Sequence, residues 1–166
     1  MRKIYIIGPC GSGKTTLARE FSKKLGIKSY ELDKIVWNDS AGNIKRTNEK
    51  INELFNDIIN SEDWIIEDVG REIFIDGIKK ADIVYYIDLP KCVVYKNCIC
   101  RWIKQKLRKE KYNYKPSLKS LFEILKWVKK DIKNKNLKFQ RIADNSKKYK
   151  ILFSACIKNL GSDIND

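Results

Sequence analysis

The stretch Gly8-Pro9-Cys10-Gly11-Ser12-Gly13-Lys14-Thr15 constrains this chain more than any other part of it. It fits G-x-x-x-x-G-K-[ST] at every fixed position. Directly before it stands Lys3-Ile4-Tyr5-Ile6-Ile7, the nearly unbroken apolar run required of a strand covered on both faces. After it, Leu17, Ala18, Phe21 and Leu25 recur at helical spacing, and Gly26 supplies a C-terminal cap. Strand, glycine loop and helix are the context the motif needs. Glycines let the backbone curl so that successive amides turn toward phosphate oxygens, and the helix adds the positive end of its dipole. Lys14 is then the point charge for the outer phosphates and Thr15 the hydroxyl for Mg²⁺, with Thr16 closing the cradle. Cys10 reads as a small filler of the loop rather than a redox centre.

Further elements follow the same alternation. Ser29 to Asp33 reads as a second strand ending in an acid, and Asn38 to Arg46 as a polar turn. Thr47 caps a helix with the stripe Ile51, Leu54, Phe55, Ile58 and Ile59. Trp64-Ile65-Ile66 leads into Glu67-Asp68 as a third strand, Asp82 to Asp88 forms a fourth, and Lys150 to Ser154 a fifth. Between the last two lie a helix from Lys91 to about Arg108, a loop carrying Tyr112, Tyr114 and Pro116, and a helix capped by Ser117. The fold class expected is α/β in three layers, one domain over 1–166, with ligands at the carboxyl ends of the strands. Carboxylates at those ends are the first candidates for chemistry: Asp33 beyond the outermost phosphate, and Glu67 or Asp68 beside the metal. Adjacent strand side chains point oppositely, so one of that pair takes the role. Trp37 is a candidate for the acceptor pocket or for core packing, and Asp88 for capping the turn into Pro90.

The stretches GPCGSGKTTLARE, LGIKSYELDKIVW, DWIIED, ADIVYYIDLP and the helix with Arg101-Trp102 together resemble the small P-loop kinases. Within them, the chain is similar to the adenylate-kinase-related family known as DNA topology modulation proteins. That resemblance implies a five-stranded parallel sheet in the order 2-3-1-4-5, a basic lid after strand 4, and ATP with Mg²⁺ as the cofactor pair. After strand 3 the chain departs from those relatives, which carry an aspartate, then glycine and an asparagine or aromatic residue. Here the run is Glu67-Asp68-Val69-Gly70-Arg71. Beside the Asp-Gly-x-Pro-Arg run of adenylate kinases, Glu67 takes the place of the acid and Arg71 that of the arginine, a candidate acceptor contact.

Charge sharpens the choice of class. The net charge of +14 is uneven: residues 1–90 hold 14 basic and 15 acidic side chains, whereas 91–150 hold 20 and 4. Either 91–148 is a helical basic lid whose Arg101 and Arg108, two turns apart on one face, close over the nucleotide, or 91–150 binds nucleic-acid backbones, or the excess charge merely solvates helix faces. Arg141 is a further candidate at its end. No histidine is present, which removes Ser-His and Cys-His catalysis, and the five cysteines lack paired zinc-site spacing. No apolar run is long enough to span a bilayer and no cleavable leader is evident, so a cytoplasmic protein with reduced thiols and no membrane partner is expected. The expected activity is transfer of the γ-phosphoryl group of ATP or GTP to a small acceptor such as a nucleoside, nucleotide or other metabolite. A nucleic-acid-associated NTPase is the alternative.

Overall fold

A computed structural model describes residues 2–38, 44–107 and 116–153. Five parallel strands form the sheet. β1 (Lys3–Ile7) lies at its centre, between β5 (Trp64–Asp68) and β6 (Ile83–Ile87). β2 (Ser29–Glu31) pairs with β5 on one side, and β7 (Tyr149–Leu152) pairs with β6 on the other. In chain order of the sheet strands this is 2-3-1-4-5, the expected topology. β3 (Trp37–Asn38) and β4 (Ile44–Lys45) form a separate antiparallel ribbon.

Alternation along β1 explains why its run is apolar without interruption. Ile4 and Ile6 turn to one face, where α1 (Lys14–Leu25) brings Leu17, Ala18 and Phe21 against Ile65, Tyr85 and Ile87. Tyr5 and Ile7 turn to the other face. There they meet Phe55 of α3 (Asn48–Asn60), Ile78 of α4 (Ile75–Lys80) and Ile142 of α7 (Lys135–Asn145). The three layers follow from those two stripes. Thr47 accepts from the Lys50 amide as the N-cap of α3, and Gly26 ends α1 at φ 69°.

Two expectations need correction. The second strand ends at Glu31, and Asp33 lies in the first turn of α2 (Leu32–Val36). Leu32, Ile35 and Val36 are buried at helical spacing, and that pattern overrides the extended reading. The basic segment likewise divides. α5 (Lys91–Lys106) and α6 (Leu118–Lys133) pack on each other around Val94, Cys98 and Val128, with Ser117 forming a capping box. α7, however, is a core helix of the outer layer, not part of a lid. Arg108, Tyr112, Tyr114, Ser154 and the tail beyond lie outside the described residues. Among the described residues, no helix is long and apolar enough to cross a membrane.

Gly77 reports how tightly the outer layer fits. A Cβ there would lie 2.7 Å from Tyr5 Cε2 and 2.9 Å from Phe55 Cζ, both in buried rings. Alanine normally favours a helix over glycine. Here the overlap outweighs that preference, and Gly77→Ala is expected to destabilise by about 1–3 kcal/mol. Urea unfolding measures it; an unchanged midpoint would show slack between α4 and the sheet.

Candidate functional site

The loop between β1 and α1 has the shape its glycines permit. Gly11 and Gly13 adopt φ of 74° and 91°, and a Cβ on Gly8 would lie 2.8 Å from Ser12 Oγ and 3.0 Å from Ile87 Cβ. The loop closes through the Ser12 amide, which donates to Pro9 O at 3.2 Å. No acidic residue occupies the first turn of α1 and no side chain caps it, so its leading amides face outward for an anion. Ser12 Oγ is buried without a hydrogen-bond partner. These features fit a polyphosphate.

Lys14 is only 8% exposed and folds back over the loop, its Nζ donating to Pro9 O at 3.1 Å and standing 3.8 Å from Glu67 Oε2. Thr15 Oγ1 donates to Glu67 Oε1 at 2.8 Å. Burial raises the Glu67 carboxyl above the ordinary range, while Lys14 and the Thr15 hydroxyl pull it back and Asp33 pushes it up further. A carboxyl raised on folding contributes stability below its unfolded pKa, and that contribution is lost as pH rises through the folded value. Glu67→Gln is therefore expected to flatten the stability profile of the ligand-free protein across the mildly acidic range, as read by denaturant titration at a series of pH values. An unchanged slope would mean that Glu67 is not the group that titrates.

Asp68 plays a different part. It accepts from the amides of Gly70 at 2.7 Å and Arg71 at 2.6 Å, and from the Arg71 guanidinium, whose other nitrogen holds Asp33. The two acids at the end of β5 thus divide as opposed side chains on a strand must: Glu67 faces Lys14 and Thr15, and Asp68 serves the turn and Arg71. The register that sets Glu31 beside Glu67 brings the start of α2 over this point, so Arg71 bridges Asp33 and Asp68.

Other candidates scatter. Trp37 belongs to the ribbon and is 38% exposed rather than in the core, with its carbonyl taken by Arg46 Nη1 at 2.9 Å. The same nitrogen also donates to the carbonyls of Lys34 and Ile35, closing the C-terminus of α2. Arg101 lies on α5 close enough to act electrostatically on the Cys10 thiol, and Thr16 is exposed on α1. Arg141 pairs with Glu72 at 3.3 Å. Three contacts were not expected from the sequence. Lys135 pairs with Asp88 at 2.6 Å, and Lys138 donates to Val69 O at 2.5 Å while pairing with Asp131. Lys135, Lys138 and Arg141 recur every three residues on α7, which is the signal that marks them as one face. A cleft of about 300 Å³ opens between Pro9, Asp88, Lys91, Ile132 and Lys135.

The model of the ATPase family associated with various cellular activities (AAA) matches residues 4–81, from β1 through the phosphate loop to the end of α4. A curated shikimate kinase from Marinomonas sp. (strain MWYL1) is 46% identical over 39 residues, 24% of this chain, so the match spans only 21% of that relative's length. Among solved structures, shikimate kinase from Bacteroides thetaiotaomicron aligns with a TM-score of 0.63 at 13% identity, covering 99% of both chains. A shikimate kinase from Acinetobacter baumannii in complex with shikimate aligns at 0.60 and 14% identity, over 99% of this chain and 91% of that one. At such identities the alignment establishes the fold: an α/β P-loop architecture shared with these kinases.

Proposed function

We propose that this chain is an ATP-dependent phosphotransferase acting on a hydroxyl of a small acceptor. The observation that carries the reading is the adjacency of two clusters at the end of β5. One, Lys14, Thr15 and Glu67, suits a metal-bound polyphosphate; the other, Asp33, Arg71 and Asp68, ends in a carboxylate whose side chain is 60% exposed. Mg²⁺-ATP, when bound, supplies the phosphoryl group and partial neutralisation of its charge. GTP fits the same loop chemistry. The loop amides and Lys14 would hold the phosphates, and Thr15 and Glu67 would hold the metal. Among the described residues, no set of three His, Cys, Asp or Glu side chains forms a metal site alone, consistent with a metal that arrives with its nucleotide. Asp68 stays with Arg71.

Arg71 fixes the orientation of Asp33, and Asp33 accepts the proton of the acceptor hydroxyl as it attacks. Arg101, at the base of the basic segment, opposes charge that develops on the transferring group. The acceptor class is a hydroxylated metabolite. Shikimate is the first to try, because a solved neighbour of this fold carries it; nucleosides and nucleotides stand beside it. Placement among the DNA topology modulation proteins belongs to this proposal and rests on the order of the sequence stretches that resemble them. Against a nucleic-acid role stands the use of Lys135, Lys138 and Arg141 in contacts with Asp88, the Val69 carbonyl and Glu72 that dock α7 on the body.

The test is ADP release with Mg²⁺-ATP across a panel of hydroxylated metabolites, nucleosides and nucleotides. At least one acceptor is expected to stimulate it, and Arg101→Ala to lower kcat about tenfold or more with nucleotide affinity nearly intact. No stimulation by any acceptor, together with duplex DNA binding that survives physiological salt, would transfer the assignment to a nucleic-acid-associated NTPase.

A further inference from the structure

The geometry points to a dithiol modification site formed by Cys10 of the phosphate loop and Cys98 of α5, which a hydroperoxide converts to a disulfide that locks the loop. Cys98 is buried, 3% exposed, and its Sγ donates to the carbonyl oxygen of Cys10 at 3.6 Å. Cys10 itself is partly exposed. A Cβ built on Gly11 would lie 3.1 Å from Cys98 Sγ, so the α5 thiol lies directly against the loop backbone. Asn97 Nδ2 adds a second tether, donating to Gly11 O at 2.8 Å. The other described cysteines, Cys92 and Cys100, are exposed on α5.

The neighbouring Cys98 thiol, with Lys14 and Arg101 nearby, holds the Cys10 thiol below its ordinary range. Cys98, beside Cys10 and buried, is raised. Cys10 is therefore the sulfur that reacts first. Its thiolate attacks the O–O bond of the hydroperoxide. An S–O bond forms, the O–O bond breaks, and the departing oxygen takes a proton to leave as an alcohol, or as water from hydrogen peroxide. The resulting sulfenic acid is attacked by Cys98, which gives up its proton; an S–S bond forms and water leaves. Both thiols are oxidised by two electrons in all, and the hydroperoxide is reduced by the same two.

The consequence for function rests on the nucleotide reading above, whereas the bond itself does not. The existing contacts between α5 and the loop are non-covalent: Asn97 and Cys98 donate to loop carbonyls, and Cys10 packs against the cluster of Val94 and Cys98. A covalent link between the two sulfurs, where Cys98 now meets only the Cys10 carbonyl, draws Cys10 toward α5. The amides on either side must then leave the curl that faces the phosphates.

A variant with Cys92, Cys100 and Cys156 all changed to serine retains only this pair. Treated with hydrogen peroxide, it is expected to lose two hydrogens in mass and yield a Cys10–Cys98 linked peptide. It should also lose most of its nucleotide binding, measured with a fluorescent ATP analogue, and regain it with dithiothreitol. Cys98→Ser, compared with its own untreated sample, should form no link and lose no binding reversibly. Cys98→Ala serves the same comparison if the serine variant does not fold. Absence of the linked peptide, or an equal reversible loss in the Cys98 variants, overturns the proposal. If the peptide forms but the reduced protein binds no nucleotide, the modification site stands and the nucleotide reading fails.

Discussion

Replacing Lys14 with alanine is expected to lower nucleotide turnover by about a hundredfold or more, because the cradle loses the buried cation that makes a charge-assisted contact to the outer phosphates. The fold should survive. Lys14 is tied to its own loop through Pro9 O and stands at 3.8 Å from Glu67, and Glu67 keeps the Thr15 hydroxyl when Lys14 is gone. Burying Glu67 without Lys14 favours its protonated form, which limits the loss of stability. Isothermal titration with Mg²⁺-ATP and a turnover assay, with a melting curve as control, measure the three quantities separately. Affinity and turnover both unchanged in a folded variant would remove the phosphate loop from the reaction.

The second large effect is expected at Asp33. Asp33→Asn keeps the shape and an oxygen for Arg71 but removes the carboxylate, so transfer to the acceptor should fall by about 10²–10⁴-fold while Mg²⁺-ATP affinity changes little. The side chain is 60% exposed, and an exposed ion pair contributes at most about 1 kcal/mol to stability, so unfolding cannot account for such a loss. Comparing acceptor-dependent ADP release with nucleotide affinity decides the point. Equal losses in both would make Asp33 a positioning group for the nucleotide, and no loss in either would make it structural.

These two residues also show where a sequence is legible. Lys14 is placed by neighbours within a few positions, because strand, loop and helix are local and each imposes its own residue types: β-branched, glycine, then spaced apolar. Asp33 belongs to a stretch short enough for strand and helix patterns to overlap. Only the burial of Leu32, Ile35 and Val36 decides between them. Its partner Arg71 cannot be deduced locally at all, since their meeting depends on β2 lying beside β5. The same holds for Lys138 and Val69. α7 shows only Phe139 and Ile142 as core anchors in a polar stretch, so its weak apolar pattern concealed a helix that docks through ion pairs and a carbonyl contact. The division between Glu67 and Asp68 was half legible: strand geometry required opposite directions, and the contacts of Thr15 and Arg71 show which direction is which.

The central position of β1 determines the order in which the molecule can assemble. Ile4 sits beside Ile65 on one side and Ile83 on the other, so β1 has no partner in this sheet until much of the chain after it has emerged. Pairings so distant in sequence close slowly, because each loop must lose its freedom before the contact is gained. β7 joins last, as an edge that reaches β6 only after α5, α6 and α7 have been synthesised. During synthesis, then, Gly8 to Thr15 hangs from an unpaired apolar strand, a segment that invites association with other chains. On the proposed reading, nucleotide is gripped fully only after β5 has delivered Glu67, so ligand binding appears late and rewards chains that have already completed the middle of the sheet.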